Sequence, residues 1–209
     1  MRPFSRLFLA IVVLLLAGGA AVLWRRANRP RDTTRLAPRS PENIERTLLA
    51  SETFHLQTDP RWADETVGGS GERLASVGCT LCCVSTAQSH HGLSISPGEL
   101  NRRIKEAGGY TERGWIKWSA FDQIAKGFAR IVVPDAPSHR DIDDALRKGN
   151  PVLVKVLLSP GVNHWVLLVG RDGHEYLIKD PLRTARDIVP LSIIGSDIYA
   201  VRIAEKTGR

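Results

Sequence analysis

Asn163-His164-Trp165-Val166-Leu167-Leu168-Val169-Gly170-Arg171-Asp172-Gly173-His174-Glu175-Tyr176-Leu177-Ile178-Lys179-Asp180 is two apolar runs around three turn-forming residues. His164–Gly170 and Glu175–Asp180 are rich in Val, Leu and Ile, so each is expected to be a strand. Arg171-Asp172-Gly173 fits a three-residue hairpin loop, a type I turn closed by Gly173 in the left-handed region. In that register Gly170 faces His174, and His164 faces Asp180. The two side chains then share one face, with Cβ atoms ~4.5–5.5 Å apart. A two-residue turn would slip the register and put them on opposite faces.

Working outward, Val152–Leu158 and Ile198–Ile203 have the same β-branched, apolar character. Upstream the period is helical. A helix is expected from Cys79 to about His90, stopped by Gly92. Ser96-Pro97-Gly98-Glu99 carries the signature of a capping box, with proline at the first helical position, and starts a second helix running to about Ala107. Trp118 to Lys126 forms a third, and Ser138 with Asp141 caps a fourth through Lys148. Helices first and antiparallel strands later predict an α+β domain with a segregated sheet. At 209 residues there is room for one such domain and an appendage.

Leu7–Trp24 is an uncharged apolar run flanked by Arg2, Arg6, Arg25 and Arg26. Its length suits one transmembrane helix, and Trp24 beside arginines suits a membrane interface. A cleaved secretory signal with small residues at Ala17–Ala21 is the alternative. The expected organisation is a membrane anchor or signal segment over residues 1–24, a basic, proline-containing linker over 25–50, and the domain over 51–209. The protein is then single-pass, with its domain outside the cytoplasm.

The net charge of +7 is concentrated near that segment: residues 1–46 hold nine Arg against three acids, and the rest hold 20 basic and 19 acidic side chains. Such an excess suits anionic lipid and gives a nucleic-acid-binding surface little support.

All three cysteines lie in Gly78-Cys79-Thr80-Leu81-Cys82-Cys83. Adjacent cysteines without a distant partner are no disulfide framework, and a metal site lacks a second pair at zinc spacing. No cofactor is expected. Cys79 stands at the helix start, where unpaired N–H groups and the partial positive charge favour a thiolate. Cys82 and Cys83 point along the helix toward its core face. A helix-start thiol, a strand histidine and a carboxylate in register form a nucleophile, a base and an orienter. Gln57 lies upstream in a loop, where its carboxamide can donate to a developing oxyanion. Trp62, Trp115, Trp118 and Trp165 are expected as core or cleft walls. His55, His90, His91, His139 and His174 are expected at loops or helix surfaces.

These residues resemble the papain-like cysteine peptidases of the bacteriocin-processing (double-glycine leader) type, in their broad bacterial peptidase-like branch. The similar stretches, in the family's order, are Leu56–Trp62, Ser76–Thr80, Pro97–Asn101, Gly108–Tyr110, Gly149–Val152, Asn163–Val166 and Ile178–Pro181. They cover roughly residues 54–203. The resemblance implies a papain-like fold and a Cys79 nucleophile. It makes His164 the general base and acid, Asp180 the orienter and Gln57 the oxyanion donor. Many relatives read Gly-Cys-Gly-Pro-Thr where this chain has Gly78-Cys79-Thr80-Leu81-Cys82.

The expected activity is hydrolysis of a peptide or other amide bond through an acyl-enzyme, with a peptide or protein substrate and a separate export or cell-envelope partner. A catalytically silent peptide-binding module, or an acyltransferase using the same cysteine, are the other readings.

Overall fold

The computed structural model describes residues 35–208. Leu7–Trp24, read above as an anchor or signal, lies outside the described residues. Among the described residues no helix is long and apolar enough to cross a membrane.

A six-stranded antiparallel sheet forms the frame, built from β1 (Arg39–Leu48), β2 (Ala129–Val132), β3 (Val152–Ser159), β4 (Val162–Lys179), β5 (Val189–Pro190) and β6 (Ala200–Lys206). Its order is β1-β4-β3-β6-β2, with β5 on β4. The helices are α1 (Leu74–Val77), α2 (Cys79–His90), α3 (Pro97–Glu106), α4 (Ser119–Ile124) and α5 (His139–Arg147). The expected α+β class holds, but the segregation does not: β1 precedes every described helix and β2 lies between α4 and α5.

The central strands are apolar without alternation because the sheet is covered on both faces. Leu153, Leu167 and Val169 face one cluster with Trp62, Leu81, Cys82, Cys83 and Leu100. Val152, Val154, Val156, Val166, Leu168 and Ile178 face the other, with Ile142 and Leu146 of α5. Each fully buried aliphatic side chain there contributes on the order of 1.5–3 kcal/mol relative to exposure.

Both predicted N-caps form. Ser96 accepts from the Glu99 amide, and Ser138 and Asp141 make a reciprocal capping box. The last strand begins at Ala200 instead of Ile198, because Ile198 makes only an isolated bridge to Leu36.

Two further expectations are corrected. The stretch assigned to the linker over 25–50 includes β1, over Arg39–Leu48. The expected loop Arg171-Asp172-Gly173 lies inside β4, which runs unbroken over Val162–Lys179 because β1 pairs with Gly170, Arg171 and Gly173. The ends of β4 nevertheless meet. Sixteen extended residues would span ~50 Å, yet His164 and Asp180 are hydrogen-bonded, so the chain doubles back between them. Gly173, at φ 60°, supplies the left-handed residue at that bend.

β1 is fastened by a buried ion pair. Arg171 Nη1 lies 3.0 Å from Asp143 Oδ1 of α5, with the two side chains 2% and 1% exposed. Ser40 Oγ donates to Asp143 Oδ2 at 2.9 Å, and Arg171 Nη2 donates to the Glu42 carbonyl. The network joins β1, β4 and α5.

Candidate active site

Cys79 is the first residue of α2, directly after the short helix α1 and Gly78. The glycine is a spatial requirement: a Cβ on it would lie 2.4 Å from Leu74 Cδ2 and 2.5 Å from the Leu74 carbonyl oxygen. The tight corner lets α2 begin at the cysteine without a Gly-Pro pair after it. The amides of the first helical residues have no carbonyl of a preceding turn to bond, so they converge at the thiol as donors for negative charge.

His164 is 2% exposed at the start of β4. Its Nε2 lies 2.7 Å from Asp180 Oδ1, which leaves Nδ1 for the thiol. Asp180 Oδ1 also accepts from the Leu182 amide at 2.9 Å, fixing the carboxylate. Burial is the largest single influence on the imidazole and lowers its pKa. The hydrogen bond that the ring donates to Asp180 and the proximity of Cys79 outweigh it, and the net result is a rise to about 9. Cys79 stands close enough to act on the ring and to raise its pKa. Such contacts tighten on substrate binding in many thiol and serine sites.

Cys82 and Cys83 are fully buried at 0% and 1%, as packing residues. Burial pushes both thiols well above their ordinary pKa, and Cys83 Sγ points to the Trp165 carbonyl at 3.4 Å.

Gln57 is buried at 3%. Its Nε2 donates to the Ala75 carbonyl of α1 at 2.6 Å, and its backbone amide donates to Pro181 at 3.1 Å. The carboxamide is thereby placed between the turn leading into Cys79 and the segment following Asp180, with one N–H still to give.

A second tie joins those segments. Asp59 takes two hydrogen bonds from Arg61, at 2.9 and 2.7 Å, and lies 3.7 Å from Arg186 Nη2. The Arg61 guanidinium is the main reason the Asp59 carboxyl falls to about 2. Sequence reasoning passes over Asp59, whose partner Arg186 is distant in the chain.

A cleft of about 390 Å³ is lined by chain neighbours of the pair, though not by Cys79 or His164 themselves. Thr80, next to Cys79, and Val77, two residues before it, line the cleft together with Asn163 and Trp165, which flank His164. Trp115 and Trp118 complete the wall, as expected of cleft tryptophans, while Trp62 is core at 3% exposed.

The histidines outside the pair make structural links: His174 is exposed as expected, whereas His55, His90 and His139 are half-buried and His91 is buried. His55 Nδ1 lies 2.7 Å from Ser85 Oγ, His90 Nε2 2.9 Å from the Gly149 carbonyl, and His91 Nε2 2.7 Å from the Ala204 carbonyl. His139 and His174 contact Tyr176 and the Ser40 carbonyl, both at about 3 Å. Their partners lie at least 30 residues away, so short-range pattern gives no sign of them.

No protein-family model matches this chain, and no curated protein matches it. Among solved structures, the chain is similar to one described as "putative C39-like peptidase from Bacillus anthracis". The likeness has 13% identity and a TM-score of 0.46, over 79% of this chain and 100% of that one.

Proposed function

We propose that this protein is a cysteine-type hydrolase of peptide or other amide bonds, tethered to a membrane through residues 7–24. The observation that carries the reading is the placement of one buried imidazole between the Asp180 carboxylate, 2.7 Å from its Nε2, and the thiol at the start of α2.

In this reading the Cys79 thiolate attacks the substrate carbonyl and forms the carbon–sulfur bond. The oxyanion is met by the Cys79 amide and the free N–H of Gln57. His164, protonated near neutral pH because its pKa is raised, gives its proton to the leaving amine as the carbon–nitrogen bond breaks. It then takes a proton from the water that hydrolyses the thioester, and the thiolate is released. Asp180 holds the ring in one orientation and stabilises its cation. Acceptance of the acyl group by an amine instead of water would make the same site an acyltransferase.

Alkylation tests the reading directly. Iodoacetamide is expected to modify Cys79 at least tenfold faster than Cys82 or Cys83 at pH 7, and His164→Ala is expected to remove the difference. Equal modification of the three thiols in the folded protein rejects the proposal. Turnover of peptide substrates then separates hydrolysis from a silent binding module.

A further inference from the structure

The cleft beside the thiol has a composition that the chemistry of acyl transfer does not use. Lys155 of β3 lines it, half-buried, and is the cross-strand partner of Trp165. Arg113, an exposed residue, also lines it, and Glu72 is the one acid among the lining residues. A third cation lies behind the aromatic wall. The Arg202 guanidinium stacks 4.9 Å from the Trp118 ring centroid and 5.7 Å from that of Trp165, whose rings meet edge to face at 5.2 Å. Arg202 Nε is buried without an acceptor, and Nη1 reaches only the Val201 carbonyl at 2.6 Å.

Most other arginines of the domain are matched to carboxylates, as in Arg61–Asp59, Arg103–Glu99, Arg130–Glu205 and Arg183–Asp187. Among the described residues no carboxylate lies within ion-pair distance of Lys155, Arg113 or Arg202. Of the three, Arg202 is the cation whose burial lowers its pKa, and an anion held in the adjoining cleft would offset that desolvation. Tryptophan walls exclude water from the contact and strengthen it.

We infer that this cleft binds a carboxylate of the substrate close to the scissile bond, with Lys155 as its principal partner and the Trp118–Trp165 wall, backed by Arg202, as its platform. The inference rests on the reading of Cys79 as the nucleophile for its placement near a scissile bond. The carboxylate belongs either to an Asp or Glu side chain or to the peptide's C-terminus. Glu72 also lines the cleft and disfavours a substrate anion, but the two lining cations, Lys155 and Arg113, outnumber it.

The test is direct binding to the full chain carrying Cys79→Ser, followed through tryptophan fluorescence. The probes are N-acetylated, C-amidated pentaalanine peptides with a single Asp or Asn at each position, and pentaalanine with a free C-terminus. An Asp peptide, or the free-terminus peptide, is expected to bind on the order of tenfold or more tighter than its Asn or amidated twin. Lys155→Gln is expected to erase most of that preference and Lys155→Arg to keep it, with melting temperatures checking that both variants fold. Preference for the Asp peptides assigns the carboxylate to a side chain, and preference for the free terminus assigns it to the chain end. Equal binding of all twins, or a preference that survives Lys155→Gln combined with Arg113→Gln, overturns the inference. Inert Cys79 in the alkylation assay would reject the hydrolase reading alone, since the titration does not depend on turnover.

Discussion

His164 and Asp180 are separated by sixteen positions and joined by a 2.7 Å hydrogen bond between Nε2 and Oδ1. The bond is made in a buried setting, with the side chains 3% and 10% exposed. There a carboxylate stabilises an imidazolium far more than it would in water. The raised pKa, about 9, is the measurable consequence.

That shift fixes a pH dependence. The folded-state pKa lies above the ordinary histidine value of about 6.5, so the stabilising contribution of charged His164 is fully present below pH ~6.5 and lost as pH rises through about 9. The protonated ring is also the acid of the proposed acylation step, so the alkaline limb of kcat/KM is expected near pH 9. Asp180→Asn keeps a side chain of the same size but removes the charge. It is expected to move that limb down by a unit or more and to slow Cys79 alkylation at pH 7. A pH–rate series on both proteins measures it, and an unmoved limb means that Asp180 does not govern the histidine.

Gln57 is buried with one N–H of its amide nitrogen on the Ala75 carbonyl, and the other is the proposed oxyanion donor. Gln57→Ala is expected to lower kcat by ~10²–10³, the usual cost of one oxyanion donor. Iodoacetamide labelling of Cys79, which develops no oxyanion, should stay within about twofold of wild type. Parallel loss of both rates would make Gln57 a structural residue.

How far these residues are legible in the chain depends on the range of the signal. The two caps at Ser96 and Ser138 are local patterns three residues long and form where expected. The facing of His164 and Asp180 follows from a short count about Gly173, and it survives although β4 is not interrupted by a loop. β1 is hidden because Arg39-Ser40-Pro41-Glu42-Asn43-Ile44-Glu45-Arg46 has no apolar alternation; it is an edge strand with most side chains in solvent. Its pairing is decided by the Arg171–Asp143–Ser40 network, whose members are 28 and 103 residues apart, beyond any periodicity. The cationic cleft is equally invisible, since Arg113, Lys155 and Arg202 meet only in the folded sheet.

Acid should weaken the fold through the buried histidines. Burial is the main cause that lowers His55 to about 4, with Arg61 adding to it. A depressed histidine pKa means that the unfolded chain takes up a proton the folded chain refuses. The stability is present above pH ~6.5 and is lost as pH falls toward 4, by up to ~3 kcal/mol for this group. His91 and His139 are lowered as well and act in the same direction. Melting temperature is therefore expected to fall steeply between pH 6.5 and 4, and His55→Asn, which keeps a polar partner for Ser85, should flatten the slope. An unchanged slope would place the acid sensitivity elsewhere.

The buried Arg171–Asp143 pair gives the sharpest test of the role of β1. Removing one partner strands a charge inside the protein, so Arg171→Met is expected to cost about 3–5 kcal/mol, while Arg171→Met with Asp143→Leu recovers much of the loss. Tyr176, stacked 5.6 Å beneath the guanidinium, supplies an apolar surface for such a replacement. Shortening the chain to begin at residue 49 removes Ser40 and the Glu42 carbonyl from the same network, whereas beginning at residue 34 retains them. The shorter protein is expected to melt about 2–8 °C below the longer one, the shift that a loss of 1–2 kcal/mol gives in a domain of this size. Equal melting temperatures would mean that the stretch over residues 39–48 is a linker after all, and that the ion pair between β4 and α5 is sufficient without the strand that covers it.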